Sequence, residues 1–194
     1  PTYNDADTIC ETLDSLLKQD YKSWELIIID DGSKDNTKKV ISDYKKKKDV
    51  NNKIKYIYQD NQDQLLALIN GLNYITGDYV YILHSDDLLY DNKTFNRAVD
   101  YLDSHDNIDG ILGDLTIIDE NSNITGTHKI FPYLKKKKIP AIQLLWLGRN
   151  LYVDFAFHRK ESFMSTVYNN YLVWDKPFWL DTMDEVKMLN IDKV

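Results

Sequence analysis

Gly77-Asp78-Tyr79-Val80-Tyr81-Ile82-Leu83-His84-Ser85-Asp86-Asp87 is the stretch on which the fold turns. From Asp78, five or six residues rich in β-branched and aromatic side chains read as a buried strand of a parallel sheet, and the run stops at two adjacent carboxylates. In open α/β sheets ligands bind in the crevice outside the carboxyl ends of the strands. Asp86 and Asp87 are thereby placed to hold a cation and, through it, an anionic ligand.

A second strand end of the same kind lies upstream. Residues 24–30, Trp-Glu-Leu-Ile-Ile-Ile-Asp, read as a buried strand that delivers Asp30, Asp31, Gly32 and Ser33 to a loop. Before it, Thr8 and Glu11 have the spacing of a capping box, and Ile9, Leu13, Leu16 and Leu17 share one face, which predicts a helix over residues 8–19. A polar helix over 36–48 follows, with Val40, Ile41 and Tyr44 inward. Then come a strand over 53–58 and a helix over 64–75 carried by Leu65, Leu68, Ile69 and Leu72. Alternation of this kind up to Asp87 spells a right-handed parallel α/β layer.

Beyond residue 88 the pattern loosens. An amphipathic helix is predicted over 93–103 from Phe95, Ala98, Val99 and Leu102. Strands over 108–118 and 124–131 form a hairpin about Asp119-Glu-Asn-Ser-Asn123. A short helix over 141–147, a strand over 152–158 and a last helix opened by Pro177 and reaching Asn190 complete the expectation. With 194 residues and 43% hydrophobic content the chain can bury one sizeable core. We therefore expect a single domain over 1–194, divided into a nucleotide-type lobe (1–88) and a mixed lobe (89–194) that selects the second substrate. The opening Pro-Thr-Tyr-Asn has the character of a loop that follows a strand, so a first strand is expected ahead of Pro1.

Charge and composition exclude some functions. The 31 acidic against 24 basic residues give a net −7, which argues against nucleic-acid binding through bulk charge. The 194 residues hold no signal-peptide pattern and no run of about 18 apolar residues, and the one cysteine, Cys10, sits in a helical pattern, so a reducing cytoplasmic setting is expected. The lysine run Lys45 to Lys48 reads as a solvated helix end, a second run, Lys135 to Lys138, precedes the short helix over 141–147, and peripheral membrane contact is compatible with both.

Three segments in order, Pro1-Thr-Tyr-Asn4, Ile27-Ile-Ile-Asp-Asp-Gly-Ser-Lys-Asp-Asn-Thr37 and Asn70 to Asp87, resemble family 2 glycosyltransferases of the GT-A fold. The resemblance covers roughly half the chain and is loose in the C-terminal third. It implies that Pro1, Thr2 and Tyr3 line a nucleotide base and that Asp31 hydrogen-bonds that base. Asp86 and Asp87 would match the family's Asp-x-Asp region, with Asp86 towards the ribose or metal and Asp87 holding Mn²⁺ or Mg²⁺ under a diphosphate. The implied activity is inverting transfer of a sugar from a nucleoside-diphosphate donor, UDP-linked, to a carbohydrate, lipid-linked or protein acceptor in glycan or polysaccharide synthesis. A base must take the acceptor's proton, and Asp175, in Val173-Trp-Asp-Lys-Pro-Phe-Trp-Leu180, occupies the family's late acidic position. Asp154 is the second candidate, while Asp181 and Asp184 read as solvated helix residues.

Two positions depart from the family pattern. His84 stands where the first acid of the region is expected, and it could ligate a metal or act as an ordinary hydrogen-bonded residue. Asp63 stands where relatives carry Gly. These departures motivate the alternative of a non-catalytic nucleotide-sugar binder; a phospho-accepting receiver domain fits the length poorly. Other residues have plain structural readings: Asp30 orients Ser33, Gly32 serves a positive φ, and Trp146, Trp174 and Trp179 pack more readily than they stack on sugar. Arg159 could pair with a diphosphate or lie with His158 at the surface, and His105 and His128 carry no signal.

Overall fold

The computed structural model describes residues 1–119, 121–128, 139–140, 156–165, 167–168, 171–172, 179–182 and 188–191, with side chains described for 1–119, 121–127 and 156–165. Helix α1 (Ile9–Leu17) buries Ile9, Leu13 and Leu16. The expected capping box at its start does not form. Thr8 is already in the helical region (φ −108°, ψ −35°), whereas a capping side chain needs an extended backbone. The carbonyl of Asp5 accepts the Thr8 and Ile9 amides instead, at 3.2 and 3.0 Å.

Strand β1 (Leu26–Asp31) runs parallel to β2 (Ile54–Gln59) with Asp31 opposite Gln59, and helix α2 (Thr37–Lys48) makes the crossover. Ile9, Leu13, Ile28, Ile41, Tyr44 and Ile54 close one apolar cluster around this unit. Helix α3 (Gln64–Leu72) packs on β1 so closely that a Cβ on Gly71 would stand 3.2 Å from Ile29 Cγ1.

Strand β3 (Tyr79–Tyr81) is shorter than the sequence suggests, and its hydrogen-bonding partner is the antiparallel β9 (Phe157–Arg159). Among the described residues no hydrogen-bonded ladder joins β1 to β3. A cavity of ≈ 750 Å³ lies between them, lined by Ile27, Ile29, Leu68, Val80 and Tyr81 among others. Near it, Thr2 forms a parallel bridge to Asp30: its amide donates to the Ile29 carbonyl and its carbonyl accepts from the Asp31 amide, both at 2.9 Å.

The remaining described elements are β4 (Asp87–Leu89), α4 (Thr94–Asp103), β5 (Gly110–Leu112), β6 (Leu115–Ile118), β7 (Ile124–His128), β8 (Ile139–Pro140), α5 (Lys160–Met164), β10 (Val167–Tyr168), β11 (Tyr171–Leu172), β12 (Trp179–Thr182) and β13 (Met188–Ile191). They complete a five-stranded sheet of order β3-β9-β5-β12-β8 and a four-stranded sheet of order β4-β13-β6-β7. The larger apolar cluster joins Leu68, Val80 and Ile82 to Phe95, Ile111, Phe157 and Phe163.

Two downstream expectations are corrected. The strand expected over 108–118 is two strands in different sheets, because Gly113 and Asp114, both poor strand formers, fall between β5 and β6. The last helix expected from Pro177 is replaced, over its described part, by β12 and β13. These strands pair in parallel with β5 and β6, and β13 also pairs antiparallel with β4. Two vacant neighbours in each sheet outweigh a weak local helix preference for segments carrying Trp179, Thr182 and Ile191. Trp179 and Asp181 thus stand in a strand and not on a helix. The hairpin of β6 and β7 forms as expected, its turn held by Asp119 Oδ1, which accepts the Asn121 and Asn123 amides at 2.9 Å each. The segments over 131–138 and 141–147 lie outside the described residues.

Candidate active site

The site is assembled where β1 and the turn after β3 end. Asp30, fully buried, accepts the Ser33 amide at 2.8 Å and the Tyr56 hydroxyl at 2.5 Å. It orients the loop from inside, as the sequence suggests. Burial and that hydrogen bond push the Tyr56 phenol well above its ordinary range. Asp31 is also buried, and its Oδ1 accepts Gln59 Nε2 at 2.7 Å and the Gln62 amide at 2.9 Å. Gly32 has φ +82°, and a Cβ there would meet the Asn61 nitrogen at 2.8 Å, so the Asp-Gly turn requires glycine on both counts.

Residues 1–5 pack against both acidic turns. Asn4 adopts φ 59°; its Oδ1 accepts the Lys34 amide at 2.7 Å and its own amide donates to Ser33 Oγ at 2.9 Å. Asp5 Oδ2 accepts three donors: Thr2 Oγ1 at 2.8 Å, the Tyr3 amide at 2.9 Å and Ser85 Oγ at 2.5 Å. Thr12 Oγ1 in α1 donates to the Ser85 carbonyl at 2.9 Å. The segment with Pro1, Thr2 and Tyr3 is thus tied directly to the turn that presents Asp86 and Asp87. Tyr3 keeps 45% of its surface exposed beside this junction, an aromatic face available for stacking.

Asp87 is 4% exposed and opens β4, where its backbone lies opposite Asn190 of β13. Its amide donates to the His84 carbonyl at 3.1 Å, closing the turn that carries Ser85 and Asp86. His84 Nδ1 lies 3.3 Å from Gln64 Nε2 at the start of α3. Burial lowers its imidazole to a pKa of about 4, with Asp5 opposing the shift, so the ring is neutral near pH 7. Asp5 and His84 thus share one electrostatic neighbourhood. Among the described residues no three acidic, His or Cys side chains form a closed metal cage. A hard cation held by one or two carboxylates and completed by substrate phosphates needs none, and Asp87 with Asp86 fits that donor set.

Asp175, Asp154, Asp184, Trp146 and Trp174 lie outside the described residues, as does the His128 side chain. His158 is fully buried and not at the surface. Arg159 does not reach towards a diphosphate: its Nε donates to the Ile108 carbonyl at 2.9 Å, and its Nη2 donates to the Leu102 carbonyl at 2.5 Å and the His105 carbonyl at 3.2 Å. That closes the C-terminal end of α4. His105 stacks on Tyr101 at 4.1 Å between centroids. Asp63 takes φ 87°, a glycine-like conformation, and its carboxylate turns back to accept the Leu65 amide at 3.3 Å. Asp5, Gln59 and Gln62 were not singled out from the sequence. Asn70 lies inside a quoted motif, but nothing in its spacing announces that it bonds Gln59.

A model of glycosyl transferase family 2 matches residues 1–166. The chain belongs to glycosyl transferase family 2. The similar family members include an uncharacterized glycosyltransferase of Rickettsia conorii, 39% identical over 63% of this chain and 20% of that one. A poly-beta-1,6-N-acetyl-D-glucosamine synthase of Staphylococcus epidermidis is 35% identical over 51% of this chain and 23% of that one. The chain spans between 20% and 33% of the length of the first three Rickettsia relatives. Among solved structures, S. aureus TarS 1–349 in complex with UDP-GlcNAc superposes with a TM-score of 0.74 at 18% identity, covering 100% of this chain and 57% of that one. The mannosyltransferase PcManGT of Pyrobaculum calidifontis, in complex with GDP-Man and Mn²⁺, gives 0.67 at 17%, covering 98% and 55%. At such identities the likeness carries the fold, which is GT-A. Among the described residues no helix is long and apolar enough to cross a membrane.

Proposed function

We propose that this glycosyltransferase moves a sugar from a UDP-linked donor to an acceptor hydroxyl with inversion, assisted by Mn²⁺ or Mg²⁺, in polysaccharide or other glycan synthesis. The observation that carries the reading is the junction at Asp5, which holds the base-side loop and the acidic turn together through Thr2, Tyr3 and Ser85. In this reading Pro1, Thr2 and Tyr3 flank the base and Asp31 accepts its N–H. Asp86 meets the ribose, and Asp87, with Asp86 and His84 as further donors, holds the cation. A cation held there would supply Lewis-acid neutralisation of the charge that grows on the departing diphosphate. Asp175 takes the acceptor proton, with Asp154 in reserve. Residues 1–88 form the donor lobe and 89–194 the acceptor lobe; acceptors are carbohydrate, lipid-linked or protein, met in the cytoplasm or at a membrane surface. TarS with UDP-GlcNAc and PcManGT with GDP-Man and Mn²⁺ support the donor class and the metal, and the poly-N-acetylglucosamine synthase supports a polysaccharide product.

The test is a screen of nucleotide sugars for Mn²⁺-dependent release of nucleoside diphosphate. UDP-sugars should turn over, and Asp175→Asn should remove turnover while leaving UDP binding intact. A second reading, a nucleotide-sugar binder without catalysis, is favoured by the neutral imidazole at position 84 in place of an acid. It requires UDP binding with no turnover on any donor.

A further inference from the structure

Asp31 is held in an unusually one-sided way. Both of its hydrogen bonds from neighbouring groups fall on Oδ1, from Gln59 Nε2 at 2.7 Å and the Gln62 amide at 2.9 Å. Among the described residues no hydrogen bond reaches Oδ2. Gln59 is the rung of β2 directly opposite Asp31 in the parallel ladder, so the two side chains leave the same face. The amide of Gln59 is oriented in turn. Asn70 Nδ2, from α3, donates to Gln59 Oε1 at 2.7 Å. Flipping the Gln59 amide would set its oxygen against the Asp31 carboxylate and its NH₂ against the NH₂ of Asn70, so the direction Asn70 to Gln59 to Asp31 is the one in which every group is paired.

We infer that Asn70 and Gln59 form an amide relay that makes Asp31 Oδ2 a fixed acceptor selecting nucleobases with a ring N–H at the centre of their pairing edge, uracil or guanine, against cytosine, whose ring nitrogen there carries a lone pair. The inference rests on the donor reading above, in which Asp31 meets the base. A carboxylate whose other oxygen is already saturated has only acceptor capacity to offer. Uracil N3–H and guanine N1–H satisfy it. Cytosine presents a lone pair at N3, which a buried carboxylate repels. Gln59 and Asn70 do not touch the base in this scheme; they are positioning residues, and through Asn70 helix α3 enters nucleotide choice.

The experiment is calorimetric titration of UDP, GDP and CDP with Mn²⁺ into the unmodified chain, Gln59→Leu and Asn70→Ala, each checked for folding by thermal unfolding. A hydrogen bond to a charged acceptor sets the expected preference for UDP over CDP at roughly 10- to 100-fold. Gln59→Leu should weaken UDP binding and shrink the UDP/CDP ratio about 10-fold, and Asn70→Ala should shift the ratio in the same direction by less. Asn70→Ala removes only the outer donor, so it carries the test if Gln59→Leu does not fold. A UDP/CDP ratio unchanged in the folded variants, with both affinities falling together, would overturn the relay and leave the donor reading standing. An unmodified chain that binds CDP as well as UDP does the same. If none of the three nucleotides binds with Mn²⁺, the donor reading falls and the relay with it.

Discussion

Replacing Asp63 by glycine should stabilise the protein. Asp63 is held at φ 87°, ψ 151°, a region that only glycine visits freely. Holding another residue there costs about 1–3 kcal/mol. Two terms oppose the gain. The carboxylate accepts the Leu65 amide at 3.3 Å, and exchanging such a cap for glycine loses only a few tenths of a kcal/mol. Glycine also frees the unfolded chain, at about 0.4–1 kcal/mol. The balance favours Asp63→Gly by about 1 kcal/mol, or roughly 2–4 °C in Tm for a chain of this size. Asp63→Ala is the informative control, because it keeps the strain and loses the cap, and it should destabilise by about 1 kcal/mol. Urea unfolding followed by tryptophan fluorescence measures both. An Asp63→Gly protein no more stable than the parent, or an Asp63→Ala protein as stable as Asp63→Gly, would refute the strain assigned to this position.

Three further outcomes are expected. Tyr56→Phe removes a donor from the fully buried Asp30 and should lower the urea-derived stability by about 2 kcal/mol. In the metal-free protein, His84 has a folded pKa of about 4 against 6.5 unfolded. The unfolded chain therefore binds a proton that the folded chain refuses, and the contribution present above pH 6.5 is lost as pH falls towards 4. A gap of that size amounts to about 3 kcal/mol, and His84→Gln should flatten that part of the stability–pH curve. Arg159→Lys cannot bridge the carbonyls of Leu102, His105 and Ile108 together, so it should cost about 1–2 kcal/mol of stability while leaving UDP affinity unchanged; a selective loss of UDP affinity would return Arg159 to the diphosphate.

The first 88 residues were largely legible because their elements are local and periodic. The inner faces of α1, α2 and α3 follow helical spacing, and the β1–β2 pair needs only one crossover helix. The C-terminal part was not, because its strands exist through distant partners: β12 and β13 are four residues each and acquire their conformation from β5, β6 and β4. Periodicity over four residues cannot separate a strand from a helix turn. Thr8 illustrates the opposite error, a correct capping motif whose backbone is already helical. Within the site, the placing of Asp30, Asp31, Asp86 and Asp87 after apolar runs was readable from the sequence, while the structural role of Asp30 beneath Ser33 and Tyr56 shows that such a position is not by itself a functional one. Asp5, Gln59 and Asn70 were not, because polar residues in loops and on helices are common and only the folded chain shows which ones meet.

The central claim, that the two acidic turns make one metal-assisted nucleotide site, is tested most directly by titrating UDP into the protein with and without Mn²⁺, alongside Asp87→Asn. The expected result is binding that requires Mn²⁺ and that Asp87→Asn weakens by about 100-fold or more with the fold intact. Binding of equal strength without metal and in Asp87→Asn, or no binding at millimolar UDP with Mn²⁺, would contradict it.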